Sequence, residues 1–208
     1  MNKRGFTLVE MISVLIILSV VALIVTPNIY VSIRDYKNRL YETQMDSIRQ
    51  SGKNWAVDHI DSLPTSNDTA LAVTIKELQD DGYIEDKLEN PRDGGYFDNS
   101  SVFVLITCNY VEDETENLAS NYKYQYFVYN GVSDYQQAMA VEYAKTKKIT
   151  SNTNINTLSL KSENYISKKI VYTTGKELSV PNSTIQIKVT KSEDSKTGDT
   201  VYEYSAAI

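Results

Sequence analysis

The chain has 208 residues and a formal net charge of −6, from 27 acidic and 21 basic side chains. That balance makes it a poor generic binder of nucleic acid, whose phosphates reward lysine and arginine. His59 is its one histidine and Cys108 its one cysteine, which excludes a metal cluster built on several histidines and any intrachain disulfide.

The chain begins Met1-Asn2-Lys3-Arg4-Gly5-Phe6-Thr7-Leu8-Val9-Glu10, and residues 6–25 are an apolar run whose only charge is Glu10. Twenty helical residues at ~1.5 Å each span roughly 30 Å, enough to cross a bilayer. Lys3 and Arg4 would stay on the cytoplasmic side. A secretory signal has only about 7–15 apolar residues, so the run is too long for one. A carboxylate inside such a span costs on the order of 2–3 kcal/mol and requires a partner. The expected partner lies outside the chain as translated. A cut after Gly5 would give Phe6 a new positive amine, which a neighbouring copy would present to Glu10.

Gly5-Phe6-Thr7-Leu8-Val9-Glu10 followed by a long apolar run resembles the class III signal of type IV pilins and type II secretion pseudopilins. The resemblance implies a leader at residues 1–5, cut between Gly5 and Phe6 by a prepilin peptidase that also methylates Phe6. It implies assembly through Glu10 and Phe6, and a helix kink at Pro27. The implied fold is α+β: a long N-terminal helix, half membrane-spanning and half amphipathic, packed on a C-terminal antiparallel β-sheet domain. The corresponding segments are 1–5 (leader), 6–27 (transmembrane and filament-core helix), 28–63 (amphipathic continuation) and 64–208 (globular domain). The function so implied is that of a major or minor structural subunit of a type IV pilus. A pseudopilin of a type II secretion-like system is the alternative, with a membrane-anchored extracellular binding or enzymatic domain behind it. Implied partners are other pilin subunits, the prepilin peptidase/methylase, the pilus assembly platform protein and, before assembly, membrane lipid. The chain would sit in the cell membrane before assembly and in a pilus on the cell surface after it. No catalytic residue, metal site or cofactor is expected, nor a specific nucleic acid. The single cysteine departs from the disulfide-stapled Gram-negative pilins and implies a Gram-positive-type relative. The small competence pilins are much shorter, which sets them aside.

Pro27 removes a helix-interior hydrogen bond, so a kink or local melting is expected there. Beyond it, apolar positions keep helical spacing through Ile33, Tyr36, Leu40, Tyr41, Met45, Ile48, Gly52, Trp55, Ala56 and Leu63. A helix from Phe6 to about Ile60 would be roughly 80 Å long, which a filament core uses and an ordinary domain does not. Gly52 weakens it by about 1 kcal/mol relative to alanine. Close approach to a sheet and simple tolerance both account for that glycine.

Pro64-Thr65-Ser66-Asn67-Asp68 ends the helix. A short one follows, with Thr74 and Glu77 as a capping box, Val73 and Leu78 as its hydrophobic staple, and Gly82 as its stop. Three or four strands are expected next: 101–110, carrying Cys108 as a buried residue; 122–129, closed by Asn130-Gly131; 184–190; and 201–204 as a hairpin partner across a turn at 194–200. Residues 134–148 have helical composition, while 150–159 read as an insertion or variable loop. The sixteen tyrosines read as packing on half-exposed strands ahead of an adhesive surface.

Two chemical patterns deserve mention. Ser120-Asn121-Tyr122-Lys123, Ser162-Glu163-Asn164 and Lys196-Thr197-Gly198 fit the S-x-x-K, S-x-N and K-T-G motifs. Their contexts, an aromatic strand and a polar turn, do not suit an acyl-transfer serine. Asp80, Asp81, Glu85, Asp86, Glu89, Asp93 and Asp98 are an oxygen-rich group that calcium accepts, but the spacing of an EF-hand is missing.

Overall fold

The computed structural model describes residues 7–110, 122–149 and 155–207. Its first element is α1, Leu8–Asp58, a helix of 51 residues whose assignment runs on through position 27. A short 3-10 turn at Ile60–Ser62 and an extended Leu63 then end it ahead of Pro64.

By contacts the chain divides into two compact units, Met1–Gln44 with Glu89–Gly95, and Met45–Leu88 with Tyr96–Ile208. In the first unit, most described apolar side chains of α1 stand open, from Leu8 at 79% to Tyr30 at 70%. Tyr41 is the exception: the Arg92 guanidinium lies 3.9 Å over its ring, a cation–π contact that buries it. The loop carrying Arg92 is held by Asn90, whose amide donates to Asp93 and whose side-chain oxygen accepts from the Arg92 N–H.

The second unit holds two sheets. β1 (Thr69–Thr74), β4 (Val102–Tyr110), β5 (Tyr122–Asn130) and β7 (Lys169–Tyr172) form one in the order β5-β4-β1-β7. β4 runs antiparallel to both β1 and β5, whereas β7 is parallel to β1. The sheet is therefore mixed, where an antiparallel one was expected. β6 (Ile155–Lys161), β8 (Thr184–Glu193) and β9 (Thr200–Ala207) make the antiparallel second sheet, in the order β6-β8-β9. The short strands β2 (Glu89–Asn90) and β3 (Gly95–Tyr96) pair separately.

The final turns of α1 bury Ile48, Trp55 and Ala56. At Gly52 the approach is so close that a Cβ would lie 2.7 Å from Cγ1 of Val104 on β4. Close approach, not tolerance, is thus the reason for that glycine. α3 (Val132–Thr146) serves both sheets. Its Tyr135 joins Phe103, Leu105 and Tyr129 of the first, while Ala140 and Ala144 meet Ile185, Ile187 and Val189 of the second. Small residues on that second face let the helix sit close to the strands.

α2 (Ile75–Asp80) forms as its capping box predicts, with Ile75, Leu78 and the staple residue Val73 buried. Gly82 stops it at φ +80°, and the Tyr83 N–H reaches back to the Leu78 carbonyl at 2.7 Å. A further expectation fails. Residues 155–159, read as loop, belong to β6, where Leu160 faces the core and polar neighbours face out.

Candidate functional site

The N-terminal turn of α1 is built by four residues. Thr7 stands at the N-cap, and its hydroxyl oxygen accepts the Glu10 N–H at 3.3 Å. Oε2 of Glu10 accepts in return from both the Thr7 N–H and the Thr7 hydroxyl, each at 2.8 Å. Thr7-Leu8-Val9-Glu10 is thus a reciprocal capping box, which satisfies orphan donors of the first turn. Thr7 supplies hydrogen bonds but no charge, so these bonds stand beside the expected cationic partner from a neighbouring copy. The signal was legible, being the same Thr-x-x-Glu spacing recognised at Thr74 and Glu77. A carboxylate in an apolar run points first to a cation, which masks that signal.

Oε2 alone is used in this way. Oε1 of Glu10 has no hydrogen-bond partner among the described residues. The other polar side chains of residues 7–23 are satisfied on the helix itself, Ser13 by the Val9 carbonyl at 2.8 Å and Ser19 by the Leu15 carbonyl at 2.7 Å. Such back-bonding leaves the segment with no side-chain hydroxyl donor that needs water, as a lipid or packed-helix environment demands. The segment thus presents apolar side chains on all sides and one carboxylate oxygen. Gly5 and Phe6, the expected cleavage and methylation positions, lie outside the described residues, and Pro27 lies inside α1. Among the described residues, no helix is long and apolar enough to cross a membrane.

The remaining candidates take structural places. His59 stacks on Trp55 at 4.1 Å, the Trp55 indole N–H donates to Asp81, and the Tyr83 hydroxyl donates to Asp58. The acid group of residues 80–98 is dispersed: Asp80 pairs with Lys76, Asp93 with Asn90, and Asp98 accepts from the Ser100 N–H. Among the described residues no set of three metal-ligating side chains converges. Cys108 is buried on β4, and burial pushes its thiol up. Of the three acyl-transfer-like motifs, Ser120 and Asn121 fall outside the described residues. Ser162–Asn164 is a 3-10 turn, and Lys196-Thr197-Gly198 belongs to the β8–β9 connection.

Comparison with known proteins decides the class of the N-terminus. The prokaryotic N-terminal methylation motif matches residues 1–26. The chain carries the N-terminal signal of the type IV pilin and pseudopilin family. Beyond that signal, this pilin-like chain is similar to the ComG operon protein 3 homolog of Bacillus licheniformis, 28% identical over 44% of this chain and 84% of the relative. It is also similar to the competence protein ComGC of Bacillus subtilis, 29% identical over 41% of this chain and 78% of the relative. No solved structure matches. Chain length sets the competence proteins aside, yet one of the two relatives is a competence protein by name. A pilin-like pseudopilin subunit is the function these likenesses support.

Proposed function

We propose that this chain is the precursor of a structural subunit of a type IV pilus, cut after Gly5, N-methylated on Phe6 and polymerised through α1. The observation that carries this reading is the turn at Thr7–Glu10. It heads the apolar run and holds the only carboxylate of residues 6–25, with one oxygen spent on Thr7 and the other without a partner among the described residues. A methylated amine of Phe6 on a neighbouring copy is the cation that fits the open oxygen. A mismatched neighbour would leave both charges unpaired in apolar surroundings, so the pair fixes register.

On this reading residues 1–5 are the leader, 6–27 the membrane-spanning and filament-core helix with its kink at Pro27, 28–63 the amphipathic continuation and 64–208 the displayed domain. The subunit waits in the cell membrane with Lys3 and Arg4 cytoplasmic. It then meets the prepilin peptidase, the assembly platform protein and other pilin subunits, and ends in a filament on the cell surface. No enzymatic role is proposed.

Mass spectrometry of the mature N-terminal peptide, from cells holding a prepilin peptidase, tests the reading. A peptide beginning with N-methylated Phe6 supports it; an intact Met1 or a start beyond residue 25 rejects it. A competence-type or secretion-type pseudopilin is the second reading, favoured by the two named relatives. Mechanical shearing separates the two. A pilus subunit is released in long filaments, whereas a pseudopilin stays with the envelope.

A further inference from the structure

α3 does not cover the whole sheet face that it crosses. Between α3 and strands β4 and β5 lies a cleft of about 590 Å³, within the size range of small-ligand sites. At one end Tyr135, in the first turn of α3, meets Tyr129 edge-to-face at 5.2 Å. Lys145 lines the other end from the last helical turn, roughly 15 Å further along the helix axis. Phe127 forms part of the wall. It is 41% exposed and lies near-parallel to Tyr129, with centroids 6.5 Å apart.

Three phenols here are unusual. Tyr135 is 2% exposed and Tyr129 is 7% exposed, yet neither hydroxyl hydrogen-bonds another described residue. The Tyr165 hydroxyl, in the adjoining cluster, is fully buried without a partner. Tyr129 and Tyr135 instead line the cleft. Burial, with Tyr165 adding to it, pushes Tyr135 up to about 12, and burial raises Tyr129 further, so both remain neutral O–H donors. Buried donors are ordinarily paired, and unpaired ones that face a cavity ask for an acceptor.

We propose that this cleft binds a short acidic oligosaccharide, two or three pyranose rings bearing carboxylates, as in uronic-acid polymers. The phenol hydroxyls of Tyr129 and Tyr135 donate to the sugar's oxygens. The open face of Phe127 covers the C–H face of one ring. A carboxylate meets the ammonium groups of Lys145 and Lys168. Lys168 spends one donor on the Asn67 carbonyl, and Lys145 makes no ion pair among the described residues. Glu142, on the same rim, leaves the mouth one net positive charge and accepts from sugar hydroxyls. A short acyl or aryl carboxylate would satisfy the lysines or the phenols, but not both ends of the cleft. The proposal is independent of whether the chain polymerises.

The test is calorimetric titration of the full chain, in detergent micelles, with trigalacturonate and with neutral maltotriose. Saturable binding of trigalacturonate alone is expected. Tyr135→Phe, which removes only the hydroxyl, should weaken it about fivefold, and Lys145→Gln with Lys168→Gln by about tenfold or more. Tyr135→Phe should melt at or above the wild-type temperature, because its hydroxyl has no partner to lose. No binding up to about 10 mM, equal binding of maltotriose, or unchanged affinity in Tyr135→Phe overturns the proposal. So does a lowered melting temperature in Tyr135→Phe, which would show the hydroxyl already bonded.

Discussion

The chain uses the same four-residue device twice, with opposite consequences. At α2, the Thr74 N–H and hydroxyl reach Glu77 at 2.7 and 2.8 Å, and the Glu77 N–H returns to Thr74 at 3.2 Å. At α1 the three corresponding distances are 2.8, 2.8 and 3.3 Å. Locally the two boxes are interchangeable. Around α2 everything is closed within the chain: Ile75 and Leu78 are fully buried, and the second oxygen of Glu77 is taken by the Thr173 hydroxyl. At the first turn of α1 nothing further is closed among the described residues: Leu8, Val9 and Met11 are open, and the second oxygen of Glu10 has no partner there. Local capping therefore defines where a helix starts, while the fate of the side chains behind it separates a piece of a domain from a piece of an assembly.

Substitutions at equivalent positions of the two boxes should give opposite patterns. The largest effect is expected for Glu10→Ala: incorporation into filaments falls tenfold or more, while the unfolding midpoint of the chain in detergent stays at the wild-type value. Wild-type incorporation would remove the role given to Glu10. Next comes a leucine pair. Leu78→Ala should cost about 2–5 kcal/mol in denaturant unfolding, because it opens a cavity in a closed core. Leu8→Ala should stay within about 0.5 kcal/mol. Comparable losses at both sites would mean that the first turn of α1 is buried in the free subunit. Smaller again is the cap itself: Thr74→Ala should lower stability by about 1 kcal/mol. Thr7→Ala should leave stability alone and reduce incorporation less than Glu10→Ala does.

The smallest effect is on the alkaline side. Tyr135 is raised to about 12 and Tyr129 is raised as well, both chiefly by burial. A phenol with a raised folded pKa holds its proton longer in the native state. Its stabilisation is complete below the unfolded value near 10 and is lost as pH rises through about 12. Unfolding followed by circular dichroism should show stability falling across that window. Flat stability there would place both rings in contact with water.

Elements with one covered face were legible in the sequence. The apolar spacing from Ile48 to Ala56, the alternation of Ile185, Ile187 and Val189, and the Thr74–Glu77 box each declare their side of the structure. β1 was not, because it is covered on both faces. Ala70, Leu71, Ala72 and Val73 are all buried, so no alternation marks the strand. β7 has only four residues, and its parallel pairing with β1 is set by tertiary context that no local pattern encodes. At the candidate site, Glu10 stood out by charge alone. Its bond to Thr7 was encoded but hidden by the membrane-like surroundings. The phenol cleft was not legible, since sixteen tyrosines look alike until burial separates those with partners from those without.

The parallel pairing of β1 with β7 joins Thr69 to Lys169, so about a hundred residues must be made before that ladder can close. For a chain synthesised from its N-terminus, the sheet is finished from its late end. Until then β1 has a partner on one side only, in β4, and its other edge is bare. Once β7 arrives, its own outer side is covered at once by the Lys176–Leu178 backbone, where the Tyr172 N–H meets the Lys176 carbonyl at 2.8 Å and the Leu178 N–H meets the Ile170 carbonyl at 2.9 Å. Arrival of β7 and sealing of that edge are thus a single event, and a chain halted before residue 178 keeps a sticky side.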